Sequence, residues 1–248
     1  MHIMTHRSIP TELVSGYTLD GKIPILDKWY DDRDKCSPDD WTHTYVTDFV
    51  NRFTSQNIKN NQHGDEPYYQ VSSWILRAIE TYRIFRKKVA VIGSLTPWME
   101  AILLNHENIV TTVEYNVPVV DYPNLHAISY AEFAASDDMY DAILTFSTVE
   151  HSGLGRYGDA LDPEGDLKTM AEIRRHLMDA GLLVWGAPVG HDVVAWNAHR
   201  IYGRIRLPMI FSGFVELEWI GGSREELLNQ PLEDNSLNPV VILRKKNE

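Results

Sequence analysis

"KKVAVIGSLTPWMEAILLNH", Lys87–His106, decides how the rest of the chain is read. A short apolar run ends at Gly93-Ser94, and a helix start follows with Thr96 as cap and Pro97 in the first turn. Strand, glycine turn and helix in that order open a βαβ unit. Working forward, "NIVTTVEYN" (108–116) is a β-branched strand that ends in an acid. "NLHAISYAEFA" (124–134), "YDAILTFS" (140–147) and "GLLVWGAP" (181–188) supply three more strand-like runs. "DLKTMAEIRRHLMDAG" (166–181) is helical, with Leu167, Met170, Ile173 and Leu177 on one face and Gly181 as its stop. "GFVELEWIGG" and "NPVVILRKK" read as a closing pair of strands. The alternation predicts an α/β fold with a doubly wound, mostly parallel Rossmann-like sheet, and ligands at the carboxyl ends of its strands.

Before Lys87 the pattern is different. "DKWYDDRDKCSPDDWTHTYVTDFVNRF" mixes aromatics with acids, and Ser37-Pro38 reads as a capped helix start. After the polar stretch "NIKNNQHGDEP", Val71, Trp74, Ile75, Ala78, Ile79 and Tyr82 recur at helical spacing and mark a buried face. Residues 1–86 are therefore expected to form a helical extension, serving as a cap on the main domain or as a homodimer interface, with residues 87–248 as the Rossmann-like domain.

The chain has 248 residues, 44% hydrophobic and 23% charged, with a formal net charge of −12. Such a lysine and arginine deficit argues against nucleic acid as a partner, because binding there depends on neutralising phosphates. The single cysteine, Cys36, excludes an internal disulfide and deprives a structural zinc site of its usual thiolates. No apolar run approaches the roughly 20 residues of a membrane span, and the first residues lack the apolar core of a signal peptide. These features predict a cytoplasmic protein.

Gly93 permits close backbone approach, and the helix start after it offers free N–H groups. Taken alone, the glycine is better read as a plain tight turn. Glu114 follows 21 residues later, at the end of the second strand, where an acid can accept from both hydroxyls of a ribose. Together the two point toward a nucleoside.

"VAVIGS", "TTVEYN", "YDAILTFSTVEHSGL" and "AGLLVWGAP" resemble, strand by strand, the class I S-adenosylmethionine-dependent methyltransferases. "EHSGLGRYGD" and "GHDVVAWNAHRIYGRIRLP" resemble an uncharacterised methyltransferase-like family of unknown function. The resemblance runs from about Lys87 to Lys246. It implies S-adenosylmethionine as cofactor, with Gly93 and Ser94 along its methionine part and Glu114 on the ribose. Tyr115 would lie beside the adenine, Ser129 or Tyr130 at the adenine edge, and Ser147 near the sulfonium. The chain departs from the family at the first strand. Only Gly93 remains of an acidic, two- or three-glycine pattern, with Ala90 and Val91 where the acid stands.

The stretch "STVEHSGLGRYGDALDPEGD" (147–166) holds four glycines and five acids in twenty residues. An oxygen nucleophile needs a base or a metal ion, and His151, at the end of the strand, has the right chemistry. Capping of backbone groups is the plainer reading of that histidine. Asp162-Pro163 also suits a helix start, and Asp166 could cap one. His191 and Asp192 follow the fifth strand. With Asp159 they complete the candidate catalytic set, and with Asp159 and Glu150 they form a candidate Mg²⁺ or Mn²⁺ site. Arg156, Tyr157, His199 and Arg200 are the candidate substrate contacts. Arg200 and Arg204 would share a helix face, gripping an anionic group or pairing with the loop's acids. The expected activity is O-methyl transfer to a sugar hydroxyl of a glycan or nucleotide-sugar. The alternatives are a silent methyltransferase-like binding domain, favoured by the thinned glycine pattern, or another nucleotide-using enzyme.

Overall fold

The computed structural model describes residues 6–32, 40–64, 69–230 and 238–247. Cys36 and the Ser37-Pro38 helix start lie outside the described residues. The strands are β1 (Ile25–Lys28), β2 (Lys88–Ile92), β3 (Ile109–Glu114), β4 (Leu125–Ser129) and β5 (Tyr140–Phe146), followed by β6 (Leu177–Gly186), β7 (Val193–Asn197), β8 (His199–Ile201), β9 (Phe214–Ile220) and β10 (Val240–Lys245). Seven form one sheet in the order β4-β3-β2-β5-β6-β10-β9. The first five run parallel, and β10 lies antiparallel between β6 and β9. This is the expected doubly wound, mainly parallel sheet. The chain winds outward from β2 through β3 to β4, then resumes at β5 on the other side of β2. Connections after β2 and β5 diverge there and leave a crevice at the strand ends.

Side-chain alternation divides the core. Val89, Val91, Val110, Leu144, Val184 and Ile242 face one layer, while Ala90, Ile92, Val113, Ile143, Leu183 and Val241 face the other. The first layer is covered by the helices His43–Arg52, Tyr69–Thr81 and Trp98–Leu104. Val71, Ile75, Ala78 and Ile79 are buried there, with Trp74 and Tyr82 packed at its margin. The helix Gly165–His176 and the short helix Leu207–Ile210 cover the second.

Four local expectations need correction. The helix after the glycine-rich loop stops at His176, and Gly181 lies inside β6, where Ala180 has φ 56° and the pairing with β5 shifts register. "NLHAISYAEFA" splits into β4 and a helix, Tyr130–Ala135, because Ser129 and Glu132 form a capping box. Thr96 makes no cap: the helix begins at Trp98 without a side-chain cap bond. Arg200 and Arg204 share no helix face, because β7 and β8 form an antiparallel pair.

That pair belongs to a second sheet, in the order β1-β7-β8, with β1 parallel to β7. Tyr17, Ile23, Leu154, Val194 and Trp196 form a small core beneath it. The glycine-rich loop is held against this sheet by buried charge. Asp166 has no exposed surface and accepts from Arg206 Nε at 2.8 Å, Arg206 Nη2 at 2.5 Å and the Tyr202 hydroxyl at 3.1 Å. Arg200, 1% exposed, stands 3.6 Å from the same carboxylate and donates to Ser152 O at 2.6 Å. Burial pushes the Asp166 carboxyl up, but the Arg200 and Arg206 charges outweigh it and hold it below its ordinary value.

Removing one partner of such a pair leaves a buried charge alone. Arg206→Ala is expected to cost about 3–5 kcal/mol, read as a lower urea midpoint at an unchanged m-value. A loss below about 1 kcal/mol, the range of an exposed pair, would show that Asp166 does not depend on it.

Candidate active site

The crevice between the ends of β2 and β5 is a cleft of about 960 Å³, including space open to solvent. Gly93, Ser94, Glu114, Tyr115 and Ser147 line it, and so do His151, Tyr157 and Asp159. Sequence reasoning missed Thr148, Trp98, Met99 and Phe146, which also line it.

At the end of β2, Gly93 has φ +79°, and a Cβ there would meet Thr148 Cγ2 at 2.2 Å. The glycine therefore admits Thr148 from the β5 side as well as the left-handed turn. The turn directs the Ser94 amide onto Glu114 Oε1 at 2.5 Å, and the Tyr115 amide donates to Oε2 at 3.0 Å. Burial raises the Glu114 carboxyl above its ordinary value, and the two amides partly offset this. Under the turn lies Glu100, fully buried, within 2.8 Å of the Thr112 hydroxyl and 3.0 Å of the Ser94 hydroxyl. The Ser94 hydroxyl also reaches Thr96 O at 2.9 Å. It has one proton for two oxygens, and the carbonyl can only accept, so a protonated Glu100 completes the chain. Burial accordingly pushes Glu100 up to about 7.

Across the cleft, the turn Val149–His151 follows β5. His151 Nδ1 lies 2.7 Å from Ala198 O, a carbonyl that can only accept, so Nδ1 carries the proton of the neutral ring. Nε2 keeps the lone pair. Burial, and then the Arg156 charge, lower His151 to about 3, so the ring is neutral near pH 7. Asp159 Oδ2 accepts from the Gly153 amide at 2.7 Å, and its enclosed Oδ1 has no hydrogen-bond partner among the described residues. Arg156 does not line the cleft. It pairs with Asp32 at 2.7 Å and lies over the rings of Tyr30 and Tyr157. The Tyr17 hydroxyl donates to Gly153 O at 2.5 Å. Residues 17–32 thus hold the loop from outside.

Other candidates sit elsewhere. Ser129 is committed to its capping box, and Tyr130 stacks on Tyr115 with ring centroids 5.6 Å apart. Asp162 Oδ1 accepts from the Glu164 amide ahead of the helix, as a structural aspartate would. Asp192 accepts from the amides of Gly203, Ile205 and Arg206, which fixes the turn after β8. His191 Nδ1 bonds Gln230 O on an exposed surface. Arg200 is turned to Asp166 and the loop carbonyls, and His199 stands 6.3 Å from the His151 ring. The expected metal set of Glu150, Asp159, His191 and Asp192 is corrected on this geometry. No group of three or more His, Cys, Asp or Glu positioned to hold a metal occurs among the described residues. His191 and Asp192 also do not complete the catalytic set, since neither lines the cleft. Among the described residues no helix is long and apolar enough to cross a membrane.

The family described as "Caenorhabditis protein of unknown function, DUF268" matches residues 86–239. The chain belongs to this family. No curated protein matches. Among solved structures, this DUF268 chain is similar to the N-methyltransferase NodS from Bradyrhizobium japonicum WM9, with a TM-score of 0.52 and 12% identity over 74% of this chain and 99% of that one. It is also similar to the 1,6-didemethyltoxoflavin-N1-methyltransferase of Burkholderia thailandensis, whose structure holds 1,6-didemethyltoxoflavin and S-adenosylhomocysteine. There the TM-score is 0.53 and the identity 16%, covering 82% of this chain and 87% of that one. The DUF268 chain has the class I methyltransferase fold.

Two predictions follow from this geometry. Gly93→Ala meets both the positive φ and the Thr148 side chain, so it should lower the melting temperature, and adding Thr148→Gly should recover part of the loss. No recovery would place the strain in the backbone alone. For pH, Glu100 and Glu150 both bind protons more tightly when folded, each being pushed up to about 7 by burial from 4.5. Their contribution is fully present below about pH 4.5 and is lost as pH rises to about 7, by at most roughly 3 kcal/mol per carboxyl. Glu100→Gln should flatten the fall in stability between pH 5 and 7.5, and an identical slope in calorimetric melts would mean that Glu100 ionises freely.

Proposed function

We propose that this chain is an S-adenosylmethionine-dependent O-methyltransferase acting on a sugar hydroxyl of a glycan or nucleotide-sugar. The observation that carries the reading is one cleft holding the Glu114 carboxylate at the end of β3 and a neutral histidine beyond the end of β5. Each Glu114 oxygen accepts one amide and keeps a lone pair for a ribose hydroxyl. Tyr115 and Leu95, both exposed at the rim, offer apolar surface to an adenine. Among the described residues the lining contains Glu114 and Asp159 but neither lysine nor arginine, a potential that suits a sulfonium cation. These residues fit the cofactor.

When bound, S-adenosylmethionine supplies an electrophilic methyl group, and the new oxygen–carbon bond forms as the carbon–sulfur pair returns to sulfur. The chain's own part is to orient the acceptor and take its proton. His151 is the base, with its proton fixed on Nδ1 by Ala198 O and its lone pair on Nε2. An amine with a free lone pair attacks before it loses a proton, whereas a hydroxyl needs the base, so His151 favours oxygen. The Tyr157 ring in the cleft lining offers a face to the sugar's C–H groups. The contacts of Tyr17 and Asp32 with the loop favour the cap reading of the N-terminal extension.

A second reading, a silent binding domain, is favoured by Thr148 closing over the single glycine. Isothermal titration with S-adenosylhomocysteine separates the two. Micromolar binding that Glu114→Ala weakens at least tenfold is expected. No binding by the unaltered protein would sink the methyltransferase reading. His151→Ala should leave this affinity within a few-fold and abolish turnover of an accepted sugar; near-normal turnover would remove His151 as the base.

A further inference from the structure

We propose that Glu150 and His151 work as one proton-accepting unit, with Glu150 as the positioning residue that supplies counter-charge to the imidazole. This rests on His151 being the base of the proposed reaction. Glu150 is completely buried, and among the described residues neither of its carboxyl oxygens has a hydrogen-bond partner. A buried carboxyl with both oxygens unpaired is costly in either protonation state. The basic atom facing it is His151 Nε2, 3.8 Å from Oε1, within ion-pair reach but beyond a hydrogen bond. Nε2 is also the nitrogen left free when Ala198 O takes the Nδ1 proton.

Among the described residues no group forms a hydrogen bond of proper geometry with this carboxyl. Arg200, from β8, donates to the Glu150 backbone carbonyl and pairs with Asp166 of the helix Gly165–His176. Arg156, from the loop, is paired with Asp32. Ser147 and the amides of Glu150 and Thr148 favour the ionised carboxylate without forming a hydrogen bond of proper geometry to it. Tyr202, also close, donates its hydroxyl to Asp166. His199 stands beside the His151 ring, and Tyr157 meets it edge-on.

Two states of the pair follow. With Glu150 protonated, Nε2 faces an uncharged carboxyl 3.8 Å away that lends it no counter-charge. With Glu150 ionised, the proton that leaves the acceptor hydroxyl onto Nε2 makes an imidazolium facing a carboxylate. The unit takes up one proton, and no separated charge is left buried. Burial pushes Glu150 up to about 7, which puts the change between these states near neutral pH.

The test is nitrogen NMR of the full chain labelled on histidine, titrated from pH 5.5 to 9 without cofactor, with His151 assigned by loss of its signals in His151→Gln. The expected result is one step in the His151 Nε2 shift near neutral pH, with Nδ1 remaining protonated. The step should vanish in Glu150→Gln and return in Glu150→Asp. A flat wild-type titration, or the same step in Glu150→Gln, overturns the proposal. Should Glu150→Gln fail to fold, carbon NMR of the wild-type Glu150 carboxyl decides, since its midpoint must coincide with that of Nε2; different midpoints overturn the pair. Calorimetry with S-adenosylhomocysteine keeps the two proposals apart. Binding with a flat titration removes only the pair, and a clear step without binding removes only the methyltransferase reading.

Discussion

The site depends on the burial of Asp166 beneath two arginines. A polar loop with glycines at φ +81°, +74° and +91° has little intrinsic reason to hold one shape. Arg206 and Arg200 fix it by taking up the Asp166 charge and the backbone carbonyls of Ser152 and Pro163 together. With these carbonyls secured, Gly153 can meet Asp159 and His151 can settle against Ala198. The inventory of glycines and acids in the loop is explained by this anchoring at least as much as by any substrate.

Around this anchor the two halves of the cleft meet at Thr148. Thr148 rests on Gly93, so the turn carrying Ser94 and Glu114 is registered against the turn carrying Glu150 and His151. Each half has one fully buried glutamate, Glu100 under the first and Glu150 under the second. Carboxyls kept neutral by burial make both halves sensitive to the same pH range.

Much of the sheet was legible because parallel strands buried on both faces are apolar runs, and here they end in informative residues, Gly93, Glu114 and Ser147. The capping box at Ser129 and Glu132 was equally visible as a spacing, and would have divided β4 from its helix. Of the second sheet, β7 carried the apolar run "VVAWN", but β8 was hidden for a physical reason. Arg200 in β8 is buried by pairing with Asp166, so the strand carries no apolar signature. Asp32 and Arg156 meet across 124 positions, and no local pattern announces such a pair. Glu100 left a faint mark, as the one acid in the apolar helix "WMEAILL". Glu150 was noticed as a candidate ligand, but only the enclosure of its carboxyl shows that it is buried beside His151 Nε2 rather than lining the cleft.

The parallel pairing of β1 with β7 joins Ile25 to Val194, near opposite ends of the chain. A contact of that span closes late, since the entropy of a long loop must be met before the strand pair can form. During synthesis the central strands can assemble while β1 still waits for its partner to leave the ribosome. The acceptor side of the cleft then takes shape only after β7 and Arg206 have been made, and a chain interrupted before Arg206 would have the parallel strands β2 to β6 but no anchored loop.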